Sequence, residues 1–298
     1  MRERPLTRDD APAVAAIAAA DETALRGHPS RVQANDLLAW WERTDLEHDS
    51  WLFEDDDGPL AAGWFELYGD IGTFTGVVAQ HAKGRGLGTA IAERGEARSA
   101  ARDAAKIHAV GLAEDPAAAA LFTARGFREV RRFYEMAIEL TEQPTVPALV
   151  DGLALDAFRL EDAQTFHAAI TESFEDHWEW HGTSFDQWWK TRNGQHSDAN
   201  GPLWFLVRDG DEIAAVARNE AERNGGGYVG ALGVRRPWRG RGLGKALLYR
   251  TFAEFWGRGV TRVTLGVDAE SPTGATKLYE SVGMEVESSM VVFEKTLR

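Results

Sequence analysis

The stretch Arg239-Gly240-Arg241-Gly242-Leu243-Gly244-Lys245-Ala246 decides the fold, because the chain carries it twice. The first copy, Lys83-Gly84-Arg85-Gly86-Leu87-Gly88-Thr89-Ala90, lies 156 positions earlier, at 83 against 239. Each copy follows a strand-like apolar run and opens a helix-like one. A strand, a glycine turn and a helix leave a row of backbone N–H groups at a helix N-terminus, where they can hold a phosphate chain. The glycines allow close backbone approach and left-handed dihedrals. Arg239, Arg241 and Lys245 add positive charge to the field of the helix terminus.

The repeat runs outward from both turns. Leu6-Thr7-Arg8-Asp9-Asp10-Ala11 resembles Phe158-Arg159-Leu160-Glu161-Asp162-Ala163, and each stretch precedes an alanine-rich helical pattern. Trp40-Trp41 and Trp188-Trp189 each close a second helical stretch. Trp51-Leu52-Phe53 with Asp57-Gly58 matches Trp204-Phe205-Leu206 with Asp209-Gly210. An aspartyl-glycine between apolar runs predicts a hairpin in each half. Downstream, strands are expected at 107–112 and 262–267. Leu121-Phe122-Thr123-Ala124-Arg125-Gly126-Phe127 then matches Leu278-Tyr279-Glu280-Ser281-Val282-Gly283-Met284. A final strand should close each half. Pro144 and Pro147 break regular structure between Thr141 and Gly152, so the sequence predicts tandem domains at 1–142 and 153–298.

Composition narrows the chemistry. At 298 residues, two cores are expected rather than one. No cysteine is present, which excludes disulfides, thiolate zinc sites and a cysteine-bound acyl intermediate. With 33 Lys and Arg against 47 Asp and Glu, the net charge of −14 argues against nucleic acid as a partner. It fits a cationic substrate drawn to an acidic cleft, and equally a surface kept soluble. No apolar run is long enough to span a membrane, and the start lacks a signal-peptide pattern. A cytoplasmic enzyme without membrane contact is the expectation.

The order strand, Arg-Gly-x-Gly turn, helix, strand, Leu-Tyr-x-x-x-Gly resembles the GCN5-related N-acetyltransferases, and it covers nearly the whole chain in two copies. The tandem layout is similar to the mycothiol synthase group. The resemblance implies an α/β fold of two such domains, each a mixed, mostly antiparallel sheet flanked by helices, with a splayed strand pair for acetyl-CoA as co-substrate. It implies that Leu232, Gly233 and Val234 pair with the pantetheine arm, and that Arg239, Gly240, Arg241, Gly242, Leu243, Gly244 and Lys245 wrap the pyrophosphate. The matching first-half positions are Val78, Lys83, Gly84, Arg85, Gly86, Leu87, Gly88 and Thr89.

The family uses the tyrosine of Leu-Tyr-x-x-x-Gly to protonate the departing thiolate. Tyr279 holds that place in the second half and Phe122 in the first. A phenol can give up a proton and a phenyl ring cannot. The first half is therefore expected to be catalytically silent, with Lys83 where the family prefers Arg or Gln. The family also often places a Glu on the strand leading to the pantetheine contact, where this chain reads Tyr228-Val229-Gly230-Ala231. Glu220, Glu222, Asp268, His177 or a water then remain as the base.

The run from Glu172 to His181 covers the acceptor side in the family. On a helix, Glu172, Glu175, Asp176 and Glu179 would form one acidic face. Glu175, Asp176, Trp178 and Glu179 are the expected contacts to a small-molecule amine acceptor, through charge and cation–π interactions; the competing expectation is a solvated acidic face. His177 and His181 stand at i, i+4, yet the segment lacks the Glu of zinc-peptidase helices, and no metal is expected. The implied activity is N-acetylation of a small amine by a monomer or homodimer. A protein acetyltransferase and a non-catalytic acyl-CoA sensor are the alternatives.

Overall fold

The computed structural model describes residues 1–150, 152–192 and 203–298, so Asp151 of the expected joint lies outside the described residues. In chain order the elements are β1 (Arg2–Arg4), α1 (Ala11–Arg26), α2 (Ala34–Trp40), β2 (Ser50–Asp55), β3 (Gly58–Tyr68), β4 (Ile71–Val78), α3 (Leu87–Ala101), β5 (Lys106–Leu112), α4 (Pro116–Ala124) and β6 (Arg128–Glu139). They continue as β7 (Leu153–Ala157), α5 (Ala163–Phe174), α6 (Phe185–Arg192), β8 (Trp204–Asp209), β9 (Glu212–Arg223), β10 (Gly226–Val234), α7 (Leu243–Gly257), β11 (Arg262–Asp268), α8 (Ala275–Glu280) and β12 (Glu285–Thr296).

Local chemistry repeats between the halves. The Thr7 N–H donates to Asp10 Oδ2 at 2.8 Å ahead of α1, and the Arg159 N–H donates to Asp162 Oδ2 at 3.2 Å ahead of α5. Such a carboxylate three residues on satisfies a donor that the helix cannot. The expected hairpins are present as β2–β3 and β8–β9, both antiparallel.

By compactness the chain divides into unit 1, Met1–Phe133 with Ser288–Arg298, and unit 2, Tyr134–Glu287. The tandem repeat and the compact units therefore do not share boundaries. The strand that ends each sequence half continues into the other unit. Within unit 1 the strand order is β1-β2-β3-β4-β5-β12, with β4 and β5 parallel and β12 antiparallel to β5 from Met290↔Leu112 to Thr296↔Lys106. Val291 and Phe293 of β12 lie in the same buried cluster as Phe65, Phe74 and Ile107. Within unit 2 the order is β6-β11-β10-β9-β8-β7, with β10 and β11 parallel. Met136 on β6 is fully buried there among Phe252, Phe255 and Val263.

Helices cover both faces of the unit 2 sheet. Asn219 on β9 donates to Thr251 Oγ1 of α7 at 3.0 Å, so that face belongs to α7. Its neighbours Val216 and Arg218 point the other way. A Cβ on Gly233 would come 3.5 Å from Val216 and 2.6 Å from Ser173 of α5, so α5 covers the opposite face of β10. No helix among the described residues is long and apolar enough to cross a membrane.

Candidate functional site

The site forms where β10 and β11 separate. Their parallel register holds for Gly227↔Val263 and Tyr228↔Thr264, and then the strands part. Leu232, Gly233 and Val234 lie on the separated end of β10, still paired with Ala217, Val216 and Ala215 of β9. Their edge towards β11 is thus available for a ligand that pairs as a strand would.

Beyond Val234 the chain turns through a 3-10 segment, Arg236–Trp238, into Arg239-Gly240-Arg241-Gly242. Gly240 and Gly242 have φ of +77° and +78°, left-handed values that a side chain disfavours. Gly242 caps α7, whose first N–H groups have no partner within the helix. Trp238 anchors the turn: it is buried, and its indole N–H donates to Asp209 Oδ2 at 2.8 Å. Arg239 Nε donates to the carbonyl of Val234 at 3.1 Å, which joins the turn to the strand end. Open glycine backbone, helix N-terminus and exposed arginines fit a pyrophosphate. The turn in unit 1 keeps the conformation, with φ of +76° at Gly84 and +81° at Gly86 ahead of α3. Lys83 there pairs with Asp21. Val78 ends β4 in register with Ala61.

Tyr279 and Phe122 occupy different surroundings. Tyr279 is buried on α8, and burial pushes its phenol above the ordinary tyrosine range, with the nearby Tyr228 adding to the effect. The phenol therefore stays protonated at neutral pH. Phe122 packs on Phe293, Phe74 and Phe127, with ring centroids 5.2, 5.8 and 5.9 Å away. A second difference was not legible in sequence. The β9–β10 pairing carries register shifts at Gly226/Tyr228 and Val229/Ala231, whereas β3–β4 runs unbroken from Tyr68↔Ile71 to Ala61↔Val78. Bulges of this kind re-aim strand edges next to active sites. At Gly230, a Cβ would come 2.6 Å from Nη2 of the buried Arg218.

The acidic run departs from expectation. α5 ends at Phe174, so Glu175, Asp176 and Glu179 do not continue a helical face with Glu172, and His177 and His181 do not share one. The compensating cations come from the β10–α7 connection. Arg235 bonds Glu172 at 2.6 Å, Arg236 bonds Glu175 at 3.1 Å and Asp176 at 2.8 Å, and Arg239 reaches Asp176 at 3.3 Å. Those arginines are too far along the chain for a local pattern to reveal them. Trp178 is half-buried, and Glu179 adopts φ of +49°, uncommon for a non-glycine residue.

Among the base candidates, Glu220 pairs with Arg218 at 2.9 Å and Arg223 at 3.7 Å, and Glu222 is exposed. Asp268 is buried and accepts the Glu270 N–H at 3.0 Å. His177 packs against Phe174 with its ring tilted, 4.4 Å between centroids. Burial lowers its pKa against the opposing pull of Asp268 and Asp176, with Arg239 lowering it further.

A parted strand pair, a glycine-capped helix N-terminus and a buried phenol in an α/β unit fit an extended ligand that carries a pyrophosphate. Residues 158–284 match the Acetyltransferase (GNAT) family. A protein named mycothiol acetyltransferase from Acidothermus cellulolyticus is 30% identical over 263 residues, spanning 82% of this chain and 79% of that protein. Another of that name, from Salinispora tropica, is 32% identical over 70% of this chain and 68% of its own length. The crystal structure of a GCN5-related N-acetyltransferase from Sphaerobacter thermophilus matches 100% of this chain and 96% of its own, with TM-score 0.86 and 31% identity. A tandem GNAT protein from the clavulanic acid biosynthesis pathway shares the fold at TM-score 0.74 and 18% identity, covering 99% and 98% of the two chains. The chain belongs to the GNAT family: it is an N-acetyltransferase with acetyl-CoA as its acetyl donor.

Proposed function

We propose that unit 2 is the working site and moves an acetyl group directly from acetyl-CoA to a primary amine of a small molecule. The contrast between the buried Tyr279 phenol and the matching Phe122 ring, which has no proton to give and packs on Phe74, Phe127 and Phe293, carries this reading. In unit 2 a backbone N–H near Val234, on the parted edge of β10, donates to the thioester carbonyl oxygen. The acceptor nitrogen attacks the carbonyl carbon, a C–N bond replaces the C–S bond, and Tyr279 gives its phenolic proton to the departing sulfur. His177, kept neutral by burial, is suited to take the proton from the acceptor nitrogen. Without cysteine, a direct transfer needs no thiol relay.

The name shared by the relatives supports a small-molecule acceptor. A cysteinyl amine on an aminosugar-inositol is the first acceptor to try, followed by aminosugars, amino-acid amides and polyamines. The test is release of free CoA thiol from acetyl-CoA with this panel. Turnover well above background hydrolysis with one amine supports the proposal, and background rates with every amine refute it.

A further inference from the structure

Tyr228 stands at the last residue pair before β10 and β11 separate, opposite Thr264. It is also the register partner of Glu220 on β9, so its side chain lies on the face covered by α5. From there it leans across the opening onto β11: a Cβ on Gly266 would come 3.3 Å from its hydroxyl. The ring cannot swing away freely. Arg223 stacks on it at 4.3 Å, and Glu220 holds Arg223 at 3.7 Å and Arg218 at 2.9 Å. Tyr228 also lies close enough to Tyr279 to act on its phenol.

In the proposed chemistry Tyr279 marks the sulfur, and the acyl carbon is one bond from that sulfur. Whatever extends beyond the acyl carbon towards the closed end of the strand gap meets the Tyr228 ring. We infer that Tyr228 sets the length of acyl chain the site accepts, admitting acetyl and excluding longer chains by bulk. This rests on the assignment of the thioester to unit 2.

The test is calorimetric titration of the full chain with acetyl-CoA, butyryl-CoA and hexanoyl-CoA, for the wild type, Tyr228→Ala, Tyr228→Leu and Tyr228→Phe. Any binding in unit 1 is common to all four proteins and is fitted as a separate second site, so the affinities compared are those of unit 2. The wild type should bind hexanoyl-CoA at least about tenfold more weakly than acetyl-CoA, a ratio within reach of a pocket that rejects extra methylenes. Tyr228→Ala, or Tyr228→Leu if the alanine variant does not fold, should bring the two affinities within about threefold, the discrimination having been steric. Tyr228→Phe, which keeps the ring, should discriminate like the wild type. Equal affinities in the wild type would overturn the inference. So would unchanged discrimination in a Tyr228→Ala or Tyr228→Leu protein that still binds acetyl-CoA. A wild type that binds no acyl-CoA would refute the proposed function itself, and the inference with it.

Discussion

Gly244 and Leu278 touch without room for another atom: a Cβ on Gly244 would come 2.9 Å from Leu278 Cδ2. The contact joins the first turn of α7 to the residue preceding Tyr279. Its counterpart in unit 1 is looser, since a Cβ on Gly88 would lie 3.5 Å from Leu121 Cδ2. Alanine in place of helical glycine stabilises by about 0.5–1 kcal/mol where space allows. Gly88→Ala should therefore raise the melting temperature slightly. Gly244→Ala should lose that gain to overpacking, leaving the two variants about 1 kcal/mol or more apart. Thermal unfolding of both variants checks this, and equal stabilities would remove the packing argument.

Asp176 takes up positive charge that, on the proposed function, the turn offers to phosphate. It pairs with Arg236 and Arg239, while Arg239 keeps its orientation through the carbonyl of Val234. Asp176→Asn should therefore tighten CoA binding, by about two- to fourfold given the exposure of the pair, and the gain should vanish at high salt. Titrations at low and high ionic strength read this directly. Weaker binding at low salt would mean that Asp176 orients the turn rather than opposing it.

Phe293 comes from the second sequence half yet packs in unit 1, 5.2 Å from the Phe122 ring. Phe293→Ala should cost about 3–5 kcal/mol, the usual penalty for emptying an aromatic core position. Hydrogen exchange should show the loss in β5, α3 and α4. Unchanged protection there would contradict the assignment of β12 to unit 1.

Burial raises the Tyr279 pKa, so the acid form persists above the ordinary value near ~10. The transfer rate should show no alkaline decline attributable to Tyr279 up to about pH 10. The same shift has a stability consequence. The unfolded chain releases this proton near ~10 while the native state keeps it, so stability contributed by Tyr279 is full below that pH and falls above it. A rate that halves below pH 9 and is insensitive to substitution of every other titrating group would contradict the shift.

Much of this was legible in the sequence, and the limits have physical causes. The two glycine turns, the Asp-Gly hairpins and the Tyr279–Phe122 difference are local patterns, and each element formed as its pattern predicts. The exchange of terminal strands was not legible, because β6 and β12 carry the same alternation whichever sheet receives them. The helix expected through Glu179 ends at Phe174 instead, and the charges that make its helical periodicity tempting are neutralised by Arg235, Arg236 and Arg239, about 60 positions away. The bulge at Gly230 left no signal beyond one more glycine in a glycine-rich strand. Its meaning lies in Arg218 on the neighbouring strand.

The central claim is that one phenol, in one of two similar units, does the acid chemistry. The most direct measurement compares the turnover of Tyr279→Phe and Phe122→Tyr with the wild type, with acetyl-CoA affinity determined for each. Tyr279→Phe should lose about 10²–10⁴-fold in turnover, the range for a removed general acid, with affinity nearly unchanged. Phe122→Tyr should leave turnover where it was. Undiminished turnover in Tyr279→Phe with intact acetyl-CoA binding would contradict the account.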